Sequence, residues 1–372
     1  MGLYETAVIG TGACGNAIAE LAYNKKFLTV MVNSTDLDID DAYDMEGNSI
    51  IKIGEEGAGK IRNNGKKLVK ENINEYSAKL IELLSGQTMV IVAGALGGGT
   101  GSGSLPITAD IINSTMDDKL VIPVGILPEN KEDIRALSNA IEASKELESL
   151  GLPYILIDNG SYKESIKNMY DEINKSVVED FTVLRGDYNI KSSYSNMDVR
   201  DCKRLFSTPG LMAINKISGL KDTTFDNTTF DELIIKSIKD SFNVQYEKDK
   251  IIKRMGIILT VTPEMLDKFN RGLDDLKKEI GIPLEIFIHI NMVTKEEISK
   301  CSIITILAGL SFPDSRMEEM AEIINESKEA LTKTSSSKIT EMSNSLDWLD
   351  GDDQLNEKKV KKSASDLLSR WD

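Results

Sequence analysis

Gly97-Gly98-Gly99-Thr100-Gly101-Ser102-Gly103 is the stretch on which the fold turns. An apolar run, Thr88-Met89-Val90-Ile91-Val92-Ala93, leads into it through Gly94-Ala95-Leu96. Ser104-Leu105-Pro106-Ile107-Thr108-Ala109 follows and reads as the start of a helix, with proline near its first turn. A β-rich run, a glycine-dense loop and a helix start together describe a phosphate cradle. Glycine lets successive backbone N–H groups turn inward at φ values that other residues avoid. Those groups then face an anion at the positive end of the helix. Thr100 and Ser102 add hydroxyl donors. Five glycines in seven positions, flanked this regularly, are more than a flexible surface loop requires.

Working outward, the same unit recurs upstream. Glu5-Thr6-Ala7-Val8-Ile9 reads as a strand, Gly10 to Asn16 as a turn, and Ala17, Ile18, Leu21 and Ala22 as the apolar face of a helix. Gly10, Gly12 and Gly15 satisfy GxGxxG. A second strand, 27–32, ends near Asp36, where that pattern wants an acid for a ribose. An NAD-binding oxidoreductase is therefore a rival reading. Gly54 to Lys60 fits the first seven places of a Walker A loop, but Ile61 stands where a Ser or Thr should reach Mg²⁺, and Glu55 and Glu56 oppose a phosphate.

Downstream, a helix is expected over 66–84, strands over 120–127 and 153–157, and a helix over 134–150. Repeated βα units make an open parallel sheet. Its strand ends gather 10–16, 33–36, 97–103, 128–133 and Asn159 around one crevice. A long helix is expected over 169–184. Beyond it, strands at 211–217, 254–261, 284–293 and 301–310 and helices at 230–242, 263–280 and 314–332 give a second α/β unit with a mixed sheet. From Thr334 the core pattern is lost. Glu357-Lys358-Lys359-Val360-Lys361-Lys362 is a basic patch, with Leu367, Leu368 and Trp371 after it. The expected division is a Rossmann-like nucleotide-binding domain with a parallel sheet (1–168), a central helix and the loop after it (169–210), a second α/β domain (211–333) and a flexible C-terminal tail (334–372).

The 372 residues leave room for two domains, and 41% hydrophobic with 28% charged residues fits a globular protein. No apolar run approaches a membrane span, and the N-terminus has no basic region of a signal peptide, so a cytoplasmic protein is expected. Cys14, Cys202 and Cys301 lie far apart, which argues for a reducing compartment and against a metal site. A net charge of −16 repels bulk DNA and anionic membrane, so contact with DNA would be local or through a partner. The single histidine, His289, sits in an apolar run and reads as a strand residue, which argues against a Ser–His–Asp hydrolase.

Gly97–Gly103 resembles the signature of the tubulin/FtsZ superfamily of polymerising GTPases. The resemblance extends over roughly 5–315, with specific motifs in 10–201. It implies GTP or GDP with Mg²⁺ as ligands. Gly12, Ala13, Cys14, Gly15 and Asn16 would meet the α- and β-phosphates, with Asn33 at the next strand end. Gly57 and Ala58 would lie near the γ-phosphate, in what resembles the T3 loop. Gly97, Gly98, Gly99, Thr100, Gly101 and Ser102 would form the signature loop. Glu132 resembles the acid that contacts ribose. Asn159 and Asn174 resemble the residues that bond guanine, and Tyr170, one turn before Asn174 on the same helix face, the ring that stacks on it. Ala13 and Cys14 replace two glycines of FtsZ, and Ala136 stands where FtsZ carries arginine.

Asn196, Asp198 and Asp201 form NxDxxD, which resembles the T7 loop. That loop implies entry into the pocket of the next subunit, where carboxylates orient the attacking water and make hydrolysis conditional on assembly. Head-to-tail stacking is a contact that does not close, so it gives filaments. Read without the resemblance, the same residues describe a helix N-cap, with Asp201 capping 202–206. Leu127-Pro128, Glu132-Asp133-Ile134 and Leu156-Ile157-Asp158-Asn159 look closer to TubZ, the plasmid and phage segregation branch, than to FtsZ of cell division. This implies DNA movement through a DNA-bound adaptor that meets the 334–372 tail. A divergent FtsZ, and a scaffold that binds nucleotide without hydrolysing it, are the alternatives.

Overall fold

Thr6–Thr11 (β1) is buried at every position, as an interior strand of a sheet covered on both faces must be. The computed structural model describes residues 2–35, 48–162, 166–188, 194–245, 252–269 and 273–335. From β1 the chain runs through Gly12–Asn24 (α1), Leu28–Asn33 (β2), Asn48–Lys52 (β3), Arg62–Glu71 (α2), Ile73–Leu84 (α3), Met89–Ala95 (β4) and Gly99–Thr115 (α4). Leu120–Leu127 (β5), Ile134–Ser149 (α5), Pro153–Asp158 (β6), Ile166–Arg185 (α6) and Val199–Phe206 (α7) follow. The remainder comprises Gly210–Ser218 (β7), Phe230–Lys239 (α8), Arg254–Val261 (β8), Pro263–Asp267 (α9), Asp274–Ile280 (α10), Glu285–Met292 (β9), Ser302–Leu310 (β10) and Asp314–Ser335 (α11).

The strands form one ten-stranded sheet in the order β3-β2-β1-β4-β5-β6-β7-β10-β8-β9. It is parallel from β3 to β7, while β10 runs antiparallel to both β7 and β8. The mixed character expected of the second half is present. Its strands, however, continue the first sheet: Pro153, Tyr154 and Ile155 pair with Gly210, Leu211 and Met212. One face is covered by α2 to α5 and α8 to α11, the other by α1, α6 and α7. The central helix α6 buries Met169, Ile173, Val177, Phe181 and Leu184, spaced at the three and four residues that put them on one stripe.

Sequence pattern and structure part at a few places. The helix expected to begin at Ser104 begins at Gly99, so Gly99 to Gly103 form its first turns and Pro106 lies inside it. No glycine from 97 to 103 takes a positive φ. Their role is close approach: a side chain on Gly101 would come within 2.5 Å of the Ala95 carbonyl, and one on Gly103 within 2.5 Å of the Arg62 carbonyl of α2. The helix expected over 66–84 is two, broken at Asn72, and that over 263–280 is also two, α10 being entered through left-handed Leu273. Strand β3 carried too short a pattern to be foreseen, and α7, read only in the alternative as a helix over 202–206, starts three residues earlier, at Val199. Asp36, the acid of the NAD reading, lies outside the described residues, as does the tail from 336 onward. No helix among the described residues is long and apolar enough to cross a membrane.

Candidate functional site

The order of strand addition reverses between β1 and β4: β2 and β3 lie to one side, β4 to β6 to the other. A crevice opens at such a switch point, beyond the C-terminal ends of the strands. There β1 ends at Thr11 and α1 starts at Gly12; β4 ends at Ala95 and α4 starts at Gly99. Neither helix is capped by a side chain. By contrast Asp133, Asp198, Thr229 and Thr262 cap α5, α7, α8 and α9. Two helix ends with uncapped N–H groups therefore meet at one crevice and present positive potential to an anion. They touch closely, since a Cβ on Gly12, which sits at φ 68, would stand 3.1 Å from Gly101 N. Side chains on Gly10 and Gly15 would overlap the carbonyls of Gly15 and Ala93, which explains GxGxxG here as packing of α1 onto β1 and β4. Gly98 and Gly57 (φ 80) have nothing within 4 Å of where a Cβ would stand.

The surrounding loops are laced together. Gly57 N–H donates to Ser34 O at 2.9 Å, and the hydroxyls of Ser34 and Thr100 are 2.6 Å apart. Asn139 of α5 donates to the carbonyls of Lys60 and Gly97, both at 3.0 Å, and Lys60 Nζ pairs with Asp133 at 2.8 Å. Asn33 Oδ1 accepts from Ser34 N at 2.8 Å, and Ala58 is buried against Gly99. Ser102, expected to offer its hydroxyl to a ligand, donates it instead to the Gly98 carbonyl one turn back. The first turn of a helix supplies that acceptor, so what Gly97–Gly103 offers an anion is chiefly backbone N–H groups.

Beside the cradle, both amide atoms of Asn16 and the Oδ1 of Asn159 are buried with no hydrogen-bond partner. Buried amide atoms without a partner are costly in the protein alone. Cys14, Glu132 and Tyr170 converge on the same flank. Burial, with Glu132 adding to it, pushes the Cys14 thiol up to about 12, which leaves it a thiol rather than a nucleophile. Partial burial and then Glu132, Glu129 and Cys14 raise the Tyr170 hydroxyl. The ring is 52% exposed and open to stacking, with half-buried Asn174 one turn further along α6. Desolvation raises the Glu132 carboxyl and its acid neighbours Asp133 and Glu129 add to this, although its Oε1 accepts from Glu129 N at 3.1 Å.

Arg316 is the residue that no motif signalled. From α11 it reaches Asp158 at 2.8 Å through Nε, and it donates to the Pro128 carbonyl at 3.1 Å and to Asn130. It thereby fixes both the strand end that carries Asn159 and the loop that carries Glu132. The two partners are 158 residues apart, so nothing local in the sequence connects them.

Asn196, Asp198 and Asp201 are not at this crevice. The C-terminal end of α6 is held at the opposite, N-terminal end of the parallel strands, where Arg185 O accepts from Leu3 N at 2.7 Å, just before β1. The start of α7 lies there too, with Tyr4 Oη 3.4 Å from Val199 O. A helix of 20 residues separates the two places by about 30 Å. Asp198, not Asp201, is the N-cap, because the helix begins at Val199 rather than Cys202. Asp201 N donates to Asp198 Oδ1 at 2.9 Å, and Asp198 N donates to Asp201 Oδ2 at 3.2 Å. The reciprocal box uses one oxygen of each carboxylate and leaves Asp198 and Asn196 exposed.

Comparison with known proteins agrees with this architecture. Residues 5–167 match the model of the Tubulin/FtsZ family, GTPase domain. The tubulin-like protein CetZ of Thermococcus kodakarensis is 28% identical over 242 residues, covering 62% of this chain and 63% of CetZ. The chain spans about three-fifths of the length of the curated relatives it matches. TubZ of Clostridium botulinum phage c-st superposes with a TM-score of 0.71 at 19% identity, over 88% of this chain and 99% of TubZ. A GTPγS-bound protofilament of CetZ2 from Haloferax volcanii gives 0.69 at 18% identity, over 87% and 99%. These two likenesses are statements of fold. The glycine signature, the order of the strands and the match over residues 5–167 agree in likening this part of the chain to the GTPase domain of the Tubulin/FtsZ family.

Proposed function

We propose that the chain binds GTP in the crevice between α1 and α4. It hydrolyses the nucleotide when a second copy delivers Asn196, Asp198 and Asp201, so that copies stack head to tail. The observation that carries this reading is the separation of the two halves: an uncapped, glycine-built cradle lies at the C-terminal ends of the strands, and the acid pair, with Asp198 exposed and Asp201 half-buried, lies toward their other end. A single copy leaves each half incomplete, and stacking two copies edge to edge joins them.

The residues present fit a nucleotide. Backbone N–H groups of the two helix starts would hold phosphates, the unpaired amide of Asn16 and the Oδ1 of Asn159 would gain partners, and the exposed Tyr170 ring would stack on the base. An Asn carboxamide can pair with more than one base, so the choice of guanine rests on the family. Mg²⁺, arriving with the triphosphate, would supply neutralisation of the phosphate charge. No cluster of three acids, cysteines or histidines among the described residues forms a metal site of its own. Asp198 and Asp201 each keep an oxygen outside the capping box, available to orient a water.

The use of such filaments to move plasmid or phage DNA draws on the fold likeness to TubZ and on the lysine-rich segment 357–362. A pull-down with residues 334–372 against a DNA-bound adaptor tests that part, and assembly into a division ring instead would favour the FtsZ role. The enzyme reading is tested by phosphate release against protein concentration. Turnover should rise faster than linearly, and a rate per molecule that survives dilution unchanged would overturn it. Stabilisation against heat by NAD rather than GTP would return the GxGxxG turn to the oxidoreductase reading.

A further inference from the structure

His289, the chain's single histidine, lies fully buried on β9, at the edge of the sheet. The segment before α7 runs along this strand as a short extra bridge, Ser195 pairing antiparallel with Ile290. Ile290 N–H donates to Ser195 O at 3.0 Å, and Ser195 Oγ donates to Ile288 O at 2.8 Å. Two residues on, Met197 N–H donates to His289 Nδ1 at 3.2 Å. Met197 stands between Asn196 and Asp198, so the imidazole holds an amide at the centre of the acid loop.

The other side of the ring fixes its tautomer. Nε2 is 2.9 Å from Asn291 Oδ1. Asn291 Nδ2 donates to Tyr188 O at 3.0 Å and to Thr260 Oγ1 at 3.3 Å, so its oxygen is the atom turned to the ring and requires a donor. Nε2 therefore carries the hydrogen, and Nδ1 keeps the lone pair that Met197 uses. The Tyr188 ring packs edge-on against the imidazole with centroids 5.6 Å apart. Its hydroxyl meets Cys202 Sγ of α7 at 3.3 Å, so the cluster holds the loop on both sides of Asp198.

We propose that neutral His289 is the positioning residue of the Asn196–Asp201 loop, setting the direction in which Asp198 and Asp201 face the nucleotide of the next copy. The inference rests on the role given to those acids above. His289 touches no substrate. It acts through the Asn196–Met197 peptide, and a loop displaced by about 1 Å is enough to cost on the order of 100-fold in rate.

Two substitutions in the full-length chain test this. His289→Leu removes the acceptor at similar volume, and His289→Asn restores one, because its Oδ1 falls where Nδ1 stood. His289→Leu should lower maximal phosphate release at least about tenfold while the Kd for GTP stays within about twofold, and His289→Asn should recover most of that loss. Full turnover in His289→Leu, or equal loss in both variants with GTP binding intact, overturns the proposal. Hydrogen exchange at the Met197 amide of the unaltered chain tests the bond without any variant: protection supports it, and exchange at open-loop rates overturns it. Full turnover in Asp198→Ala is a different failure, which removes the acid-loop reading itself.

Discussion

The cradle and the acid loop are built in opposite ways. The cradle is backbone: its glycines are pressed against carbonyls of β4, α1 and α2, its loops are laced to one another, and its helix ends are left uncapped. The acid loop is side chain. Its two carboxylates cap their own helix and stay at the surface, and the loop rides on an edge strand. A site of the first kind is determined within one chain. Under the proposed function, a site of the second kind has nothing in its own chain to act on.

The sharpest test of that contrast is Asp198→Asn. Asparagine is as good an N-cap as aspartate, so the helix keeps its cap and loses a charge. Turnover should fall by about 100-fold or more with GTP binding unchanged. Asp198→Ala should lose as much turnover and, in addition, about 1 kcal/mol of stability measured by denaturant melts. If Asp198→Asn turned over normally, the loop would be a cap and nothing else.

On the cradle side, Gly101→Ala and Gly98→Ala separate packing from ligand contact. A methyl on Gly101 meets the Ala95 carbonyl at 2.5 Å, so the variant should lose about 2–4 kcal/mol of stability, and nucleotide binding with it. A methyl on Gly98 meets nothing within 4 Å, so the fold should melt within about 0.5 kcal/mol of the parent while affinity for GTP drops. Equal stability in both would mean that the glycine run is not fixed by close approach. Asn16→Ala is a finer probe. Its amide is already unpaired in the protein alone, so removal should leave stability unchanged or raised, while GTP affinity falls by roughly tenfold in calorimetric titration.

The same contrast explains what the sequence disclosed. Glycine is chemically unlike every other residue, so a place that tolerates no side chain is written plainly, and the crevice at Gly10–Gly15 and Gly97–Gly103 was legible together with the sheet around it. The reason for those glycines was less so: only contact distances reveal that 97–103 serve close approach rather than unusual φ. Asp198 and Asp201 are ambiguous by nature, because the residues that cap a helix are those that orient a water. Arg316 and the continuity of β6 with β7 were not legible at all. Both join positions far apart in the chain, and neither leaves a local pattern.

The helix that joins the two regions supplies the last and smallest test. Asp180, in the C-terminal half of α6, lines a cavity of about 390 Å³ with Asn215 and Asn243. Burial holds its carboxyl well above the usual value of 3.8, with Lys216 opposing and Glu179 adding to the rise. In the unfolded chain the group ionises near its ordinary value while the folded chain retains the proton. Stability is therefore whole below that value and is lost as pH rises toward the folded one. Asparagine resembles the protonated acid at every pH. Asp180→Asn should raise stability at pH 7 and change it little near pH 3, read as melting temperature against pH. Turnover should be untouched, because the substitution alters neither an end of α6 nor what is attached there. A drop in phosphate release with GTP binding intact would mean that α6 carries coupling between the two regions, and the cradle and the loop could then no longer be treated as independent halves.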